Sequence, residues 1–196
     1  MWCCSLRNLH LFHRWLGILF GLLVLAWFLS GVVMLYVPYP SLTPVERLTN
    51  LSVIDLDQVK FSMSEIWSEQ IETQPDTVKL IMQNNRPVYH LMQDKVWQSV
   101  WADDGQKVVV DEIIIRSSVN QFANSARVRD TRVIERDQWS VSSKYDGHRP
   151  LYVVTLDDVQ HTELYVSSKT GEVVLDTTKS ERAWNWVGSV VHWIYF

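Results

Sequence analysis

The most prominent feature of the hydrophobic pattern is an apolar run at residues 15–37, WLGILFGLLVLAWFLSGVVMLYV, which contains no charged side chain. As a helix this run would be about 35 Å long, enough to cross a hydrocarbon core of roughly 30 Å. The alternative is a cleaved secretory signal, but the apolar core of a signal is usually about 7 to 15 residues long. The VPYPSLTP sequence at the end of the run also lacks a small-x-small cleavage site. We therefore predict an uncleaved transmembrane helix.

Charges next to this helix predict its orientation. Arg7 and Arg14 precede the apolar run, and basic residues favour the cytoplasmic side of a membrane. The sequence thus predicts a cytoplasmic leader at 1–14 and places the chain from Tyr39 onward on the opposite side. Residues 38–60 are interpreted as a linker, because their prolines cannot continue the helix.

Further along, the pattern changes to short alternating segments between turn residues, which is typical of antiparallel strands. We predict turns at Asp104-Gly105, 145–148 and 169–171; Gly105 and Gly171 supply the positive φ that such turns need. The predicted strands are 77–83, 88–92, 96–101 and 107–110 in a first group, and 131–141, 151–156, 163–166 and 172–175 in a second.

The two groups of strands belong to an internal repeat. The segment RPVYHLMQDKVWQSVWADDGQKVVVD at 86–111 matches RPLYVVTLDDVQHTELYVSSKTGEVVLD at 149–176 in order and residue type. In this match Val100-Trp101 corresponds to Leu164-Tyr165, and Gly105 corresponds to Gly171. Self-similarity of this kind predicts two copies of one structural unit.

Apolar residues at helical spacing precede the strands of each copy, at 62–71 and at 118–126. Ser62 and Glu65 form a capping-box signature at the start of the first helix. We therefore predict an α+β fold in which one helix precedes a small antiparallel sheet, twice. The two repeats are assigned to 61–115 and 116–176.

The end of the sequence returns to apolar residues. Residues 177–182 are interpreted as a charged hinge, and 183–196 as the start of a second membrane helix. Fourteen residues give only about 21 Å of helix, less than a full crossing. We expect a half-inserted helix, an interfacial helix, or the first half of a span in a truncated product.

Composition and the absence of known motifs exclude several classes of function. The net charge of -4 and the interspersed signs argue against a nucleic-acid surface. The only cysteines, Cys3 and Cys4, lie in the leader, so the region beyond the membrane helix has no disulfides. No phosphate-binding loop, metal-type histidine pair or nucleophile elbow occurs.

Two acidic pairs are the remaining candidates for chemistry. Asp157-Asp158 with His161, and Asp103-Asp104, could be metal ligands or acid-base groups. Both pairs stand at predicted turns, where solvated acidic residues are common, and we interpret them as structural. We predict no catalytic and no metal-binding residues, and we interpret Trp67, Trp97, Trp101 and Trp139 as core residues rather than a ligand groove.

Several motifs together resemble one protein family. They are HRWLGILFGLLVLAWFLSG at 13–31, DQWSV at 137–141, RPLY at 149–152, ELYVSSKTGEVVLDT at 163–177 and ERAWNWVGSVVHWIYF at 181–196. In this order they resemble the PepSY-associated transmembrane family of bacterial inner-membrane proteins. The resemblance implies two PepSY modules facing the periplasm between membrane helices. PepSY modules are similar to propeptide segments that restrain thermolysin-type peptidases, and some relatives of the membrane family bind haem b through histidines.

His13 and His192 are the candidate haem ligands, because a histidine in an apolar membrane segment is a functional hypothesis. His13 lies about 35 Å below the outer end of the first helix, and His192 lies about 15 Å below the same face. The two histidines therefore differ in depth by about 20 Å and cannot ligate the same haem. The alternative is an interfacial role for His13 and a packing role for His192.

We expect a membrane-anchored periplasmic module that binds, senses or inhibits and does not itself catalyse a reaction. Its expected partners are the lipid bilayer, other membrane helices, and a periplasmic protein or peptide that docks on a sheet edge by strand addition. The alternative is a fragment of a haem-b membrane reductase linked to the uptake of ferric siderophores. Further membrane helices with histidines downstream of residue 196 would favour the reductase.

Overall fold

The computed structural model describes residues 2–70, 74–123 and 125–194, with side chains described over 6–66, 74–123 and 125–194. The chain forms two compact units. Unit 1 comprises Met1–Tyr39 and Ser180–Phe196, and unit 2 comprises Pro40–Lys179.

The elements follow the predicted order of a long helix, then helix and sheet twice, then a final helical segment. The helices are α1 Trp2–Tyr36, α2 Pro44–Asn50, α3 Met63–Gln70, α4 Glu112–Phe122, α5 Lys179–Asn185 and α6 Val191–Trp193, with a π-helical turn Trp186–Val190 between the last two. The strands are β1 Thr77–Gln83, β2 Arg86–Gln93, β3 Val96–Trp101, β4 Val128–Ile134, β5 Leu151–Leu156, β6 Glu163–Ser167 and β7 Val173–Thr177. Short 3₁₀ helices lie at Leu56–Gln58 and Ser143–His148.

In unit 1, α1 is one continuous helix of 35 residues that includes the predicted leader. Within the described residues, its segment Leu6–Tyr36 is the one helix long and apolar enough to cross a membrane. Nearly all of the side chains in this segment are exposed, which separates it from the buried core helix of a globular domain. The prediction of a membrane-spanning helix is therefore confirmed in length and composition.

The C-terminal helical segment of unit 1 packs on the last turns of α1. A Cβ added at Gly188 would lie 3.1 Å from Val33 Cγ1, so glycine lets the two backbones approach closely. Asn185 is fully buried, and its Nδ2 donates to the carbonyl oxygens of Pro38 and Glu181 at 3.0 Å. α5 begins at Lys179, inside the segment predicted as a hinge. Tyr195 and Phe196, the end of the predicted second membrane helix, lie outside the described residues.

Unit 2 contains two antiparallel meanders, β1-β2-β3 and β4-β5-β6-β7. In the first, the two-residue turns Asn84-Asn85 and Asp94-Lys95 have positive φ at both positions, the geometry that suits a tight hairpin. α3 precedes this sheet and starts at the predicted capping box: Glu65 Oε2 accepts from the Ser62 backbone nitrogen at 2.7 Å. Ile71, the predicted last residue of this helix, lies outside the described residues.

Three predicted elements differ from the structure. Residues 107–110 are not a fourth strand of the first sheet, because only an isolated bridge joins Lys107 to Val100. Val108 and Val110 pack instead on a core cluster around Val88. The backbone contact of this segment with β3 is limited to the bridge and a hydrogen bond from Val108 N to Ser99 O at 2.8 Å, so the alternation mainly reflects side-chain packing.

The predicted helix 118–126 and the predicted strand 131–141 also have different bounds in the structure. α4 starts six residues before the predicted 118–126, because Asp111 caps it by accepting from the Ile114 nitrogen at 2.9 Å. β4 occupies 128–134 rather than 131–141. It ends before Asp137, whose Oδ1 accepts from the backbone nitrogens of Trp139 and Ser140 and so turns the chain out of the sheet.

Strand register refines the internal repeat. Val88 of β2 lies opposite Trp101, whereas the matching Leu151 of β5 lies opposite Ser167. Trp101 is thus structurally equivalent to Ser167, two residues beyond the Tyr165 that sequence matching assigns to it. A shift of two residues keeps each side chain on the same face of its sheet, so both alignments predict the same pattern of burial.

The core of unit 2 follows the two sheets. One cluster joins α4 to β5, β6 and β7, and two smaller clusters cover the faces of β2 and β3. Trp97, Trp101 and Trp139 are buried, as predicted for core residues. The side chain of Trp67 lies outside the described set.

Candidate functional site

A buried charged cluster lies where the turn between β6 and β7 meets the first sheet. Gly171 in this turn has a φ of +70°, and a Cβ there would lie 2.5 Å from Ile114 Cγ2 and 2.8 Å from Gln83 Nε2. Only glycine combines this backbone conformation with so little space. The next residue, Glu172, therefore enters the interior, where its side chain is 4% exposed.

Glu172 is held by a cation from α2. Thr43 caps this helix through a capping box, in which its backbone nitrogen donates to Glu46 Oε2 at 2.8 Å. The capped helix presents Arg47, which donates through Nη2 to Glu172 Oε1 in a close ion pair. A buried carboxylate needs such a partner, because desolvating an unpaired charge is costly.

The second carboxylate oxygen, Glu172 Oε2, has looser surroundings. Lys79 Nζ and His90 Nε2 each lie 3.9 Å away, beyond hydrogen-bonding distance. Within the described chain, neither Glu172 Oε2 nor His90 Nε2 has a hydrogen-bond partner. Burial by itself raises the pKa of Glu172, but the attraction of the surrounding basic groups outweighs it and leaves the pKa below its ordinary value.

His90 is fully buried on β2 and is uncharged at neutral pH. Burial lowers its pKa to about 4, because the charged imidazolium would lose its hydration. Its Nδ1 lies 2.6 Å from Ser99 Oγ. Electrostatic attraction favours the tautomer with hydrogen on Nε2, the ring nitrogen that faces Glu172.

A second histidine, His148, reaches the same cluster from the 3₁₀ helix at 143–148. Its ring stacks on Trp97 with centroids 5.3 Å apart, and its Nδ1 lies 3.0 Å from Ser167 Oγ. Burial lowers the pKa of this histidine to about 4 as well. Lys79 lies over the Trp97 ring, 4.4 Å from its centroid.

A polar cavity of about 120 Å³ opens beside this cluster. Its wall contains three cationic side chains, one carboxylate, a phenol, an imidazole and one aliphatic side chain, supplied by Arg47, Lys79, Lys144, Glu172, Tyr145, His148 and Val174. This volume corresponds to about four water molecules. The cavity is thus large enough for several water molecules or a small polar ligand.

A larger open groove of about 780 Å³ runs between α4 and the β4–β5 face. β4 lies at the edge of its sheet, and six of its seven side chains are exposed. Val128 and Val133 are 47% and 59% exposed on this strand. The groove therefore combines an open strand edge with apolar and charged lining.

The structure does not bring the two predicted haem ligands together. His192 Nδ1 lies 3.2 Å from both Ser30 Oγ and the Trp27 carbonyl oxygen, and its ring stacks on Trp27 at 4.7 Å. His13 lies fourteen residues before Trp27 on the same helix, which corresponds to about 21 Å. The separation in depth expected from the sequence is thus present along α1.

The acidic pairs have structural partners. Arg86 donates to Asp103 at 2.7 Å and to Asp104 at 2.6 Å, which ties the turn at Gly105 to β2. Asp158 accepts from the Thr162 backbone nitrogen at 2.8 Å. Among the described residues, no group of three histidine, cysteine, aspartate or glutamate side chains could hold a metal ion.

Sequence reasoning missed the cluster around Glu172, since its members come from five separate elements. One local signal was available, because His90 occupies a position of β2 between apolar neighbours where a core residue is expected.

No family model matches the chain, and no curated protein or solved structure matches it either.

Proposed function

We propose that this chain is a membrane-anchored protein whose unit 2 binds a segment of another polypeptide and does not catalyse a reaction. The observation that carries the proposal is the open edge of β4, exposed along its length beside the groove against α4. An edge strand presents unpaired backbone donors and acceptors, which an extended peptide satisfies by adding a strand.

The side chains of β4 fit such a partner. Val128 and Val133 supply exposed apolar contacts, while Arg129, Asp130 and Arg132 supply charges of both signs. Backbone pairing would give affinity, and alternate side chains would give selectivity. In the part of the chain that the structure describes, neither a proline within β4 nor a covering strand blocks this edge, which leaves it open to strand addition.

The resemblance to the PepSY-associated transmembrane family supports the location of this module. We place α1 in a bacterial inner membrane with the N-terminus in the cytoplasm and unit 2 in the periplasm. The apolar helix α1 and the basic residues Arg7 and Arg14 support this orientation.

Site-specific photo-crosslinking tests the docking edge. A photoreactive phenylalanine at Val133 should give discrete crosslinked partners in native membranes, because this side chain lies on the open edge of β4. The same probe at Val159, 98% exposed in the loop between β5 and β6, is the matched control and should give none. Equal crosslinking from both positions, or none from Val133, would contradict the proposal.

The second candidate is a haem-binding membrane subunit, favoured by the surroundings of His192. Its Nδ1 faces the Trp27 carbonyl oxygen and Ser30 Oγ, an arrangement that fixes the ring and leaves Nε2 for a ligand. His192 would be one axial ligand, and haem bound there would supply one-electron chemistry. The second ligand would come from another helix or chain, because His13 lies too far along α1.

Absorbance spectroscopy distinguishes this candidate from the first. Purified protein supplied with haem should show a Soret band that His192→Ala removes and His13→Ala retains. A wild-type protein without this band has no haem site at His192, and the peptide-binding proposal then stands alone.

A further inference from the structure

We propose that the cavity beside Glu172 binds a small tetrahedral oxyanion of the size of phosphate or sulfate. The ligand would be held by Lys79 and Lys144 through their ammonium groups and by Tyr145 through its hydroxyl. This site is separate from the β4 edge and does not depend on peptide docking there.

The two ammonium groups are positioned and lack a close acceptor. Lys79 Nζ lies over the Trp97 ring, and Lys144 Nζ lies over the Tyr145 ring, 4.7 Å from its centroid. Among the described residues, neither ammonium group donates a hydrogen bond, and Lys79 Nζ lies 3.9 Å from Glu172 Oε2. Burial lowers the pKa of both lysines, because it disfavours their charged form. A bound anion would stabilise the charged ammonium groups.

Tyr145 supplies an independent indication of a ligand. Its side chain is buried, with 2% exposed, and its hydroxyl has no hydrogen-bond partner in the described part of the chain. Burial and the nearby Asp176 and Asp137 raise its pKa to about 12, so the hydroxyl stays protonated and can donate. An unsatisfied buried donor in the wall of a polar cavity is costly unless a ligand or water accepts from it.

The charge of the wall favours an anion. Arg47 and Glu172 neutralise each other in their close ion pair. His148 is uncharged at neutral pH. Lys79 and Lys144 are therefore the two uncompensated cations of the cavity wall, whereas Asp137 and Asp176 act on the Tyr145 hydroxyl from outside that wall.

The position of the site gives it a structural consequence. Lys79 belongs to β1, whereas Lys144 and Tyr145 belong to the 3₁₀ helix that precedes β5. An oxyanion held between them would join the first sheet to the second half of unit 2. Binding should therefore raise the unfolding temperature by mass action.

Titration of the full chain in detergent with inorganic phosphate tests the proposal. Thermal unfolding and calorimetry would be measured against sodium chloride at the same ionic strength, which removes general salt effects. We expect phosphate and sulfate to raise the unfolding temperature in a saturable manner. Glycerol 3-phosphate, the headgroup-like form of the same chemistry, should bind more weakly, because about 120 Å³ leaves little room for the glycerol.

Substitutions locate the site. Lys144 is exposed, so Lys144→Met should fold normally. It should weaken phosphate binding about tenfold or more, because it removes a charged hydrogen bond. Lys107→Met removes an exposed lysine outside the cavity and is the matched control, expected to bind as the wild type does. Equal effects of phosphate and chloride on the wild type would overturn the proposal, and so would undiminished binding by Lys144→Met.

Discussion

At the residue scale, Gly171 and Glu172 determine how a charge enters the interior of unit 2. Gly171 allows the turn to pass against Ile114 and Gln83, and Glu172 then meets Arg47 from α2. The buried carboxylate is tolerated because its partner is close, and the neighbouring histidines remain neutral. Each of these features has a separate consequence for stability.

Replacing Glu172 with glutamine should destabilise unit 2 by about 1–3 kcal/mol, because Arg47 would lose its charged partner in a partly buried position. Glu112→Gln is the control. Glu112 pairs with Arg116 on the surface, with 83% of its side chain exposed, and should change the free energy of unfolding by less than about 0.5 kcal/mol. Denaturant unfolding in detergent measures both, and equal effects would show that burial of the pair is unimportant.

Gly171→Ala should destabilise the protein by about 2 kcal/mol or more, since it adds a steric clash to an unfavourable φ. Gly105→Ala separates the two causes. Its φ of +72° is similar, but its nearest side-chain atom is 3.8 Å away on Phe61. If Gly171→Ala lowers the free energy of unfolding by no more than Gly105→Ala does, the steric clash does not contribute.

Acid should destabilise unit 2 between about pH 6.5 and pH 4. The pKa of His90 and of His148 is lowered to about 4 in the folded protein, so the unfolded chain binds protons more tightly over this range. The positive charges of Lys79 and Arg47 also lower the pKa of both histidines, whereas the negative charge of Glu172 raises it. Unfolding temperatures measured across this range should fall for the wild type and fall less for His148→Gln. A flat profile for the wild type would contradict the buried neutral histidines.

At the element scale, the sequence pattern was most informative where strands pair with local neighbours. β1, β3 and β5 have the predicted bounds, because alternation and turn residues act within a few positions of each other. The segment 107–110 shows the same alternation but pairs with β3 only through an isolated bridge at Lys107 and one hydrogen bond from Val108, which no local pattern reveals. The turns at Asn84-Asn85 and Asp94-Lys95 carried a usable signal, since asparagine and aspartate tolerate positive φ better than most residues.

The candidate sites were less predictable than the fold. The cluster around Glu172 brings together residues from α2, β1, β2, the 3₁₀ helix at 143–148 and the turn before β7. Sequence separation between Arg47 and Glu172 is 125 residues, and nothing local indicates their contact. The edge exposure of β4 likewise depends on which strand the meander leaves outermost.

At the scale of the whole molecule, two units of different character share one chain. Unit 1 combines an exposed apolar helix with a short partner segment that packs through glycine and a buried asparagine. Unit 2 has its own core, a charged interior cluster and an open sheet edge. This division fits the membrane anchor and the binding module that we propose.

Cysteine labelling tests the anchored arrangement most directly. Cys3 and Cys4 mark the N-terminal side of α1, and Val159→Cys adds a thiol to the otherwise cysteine-free unit 2. A membrane-impermeant maleimide applied to intact spheroplasts should label the new cysteine on protein that stays in the membrane fraction. Cys3 and Cys4 should react only after permeabilisation. Labelled protein in the soluble fraction without its N-terminal cysteines, or equal labelling of both ends before permeabilisation, would contradict a membrane-anchored module facing the periplasm.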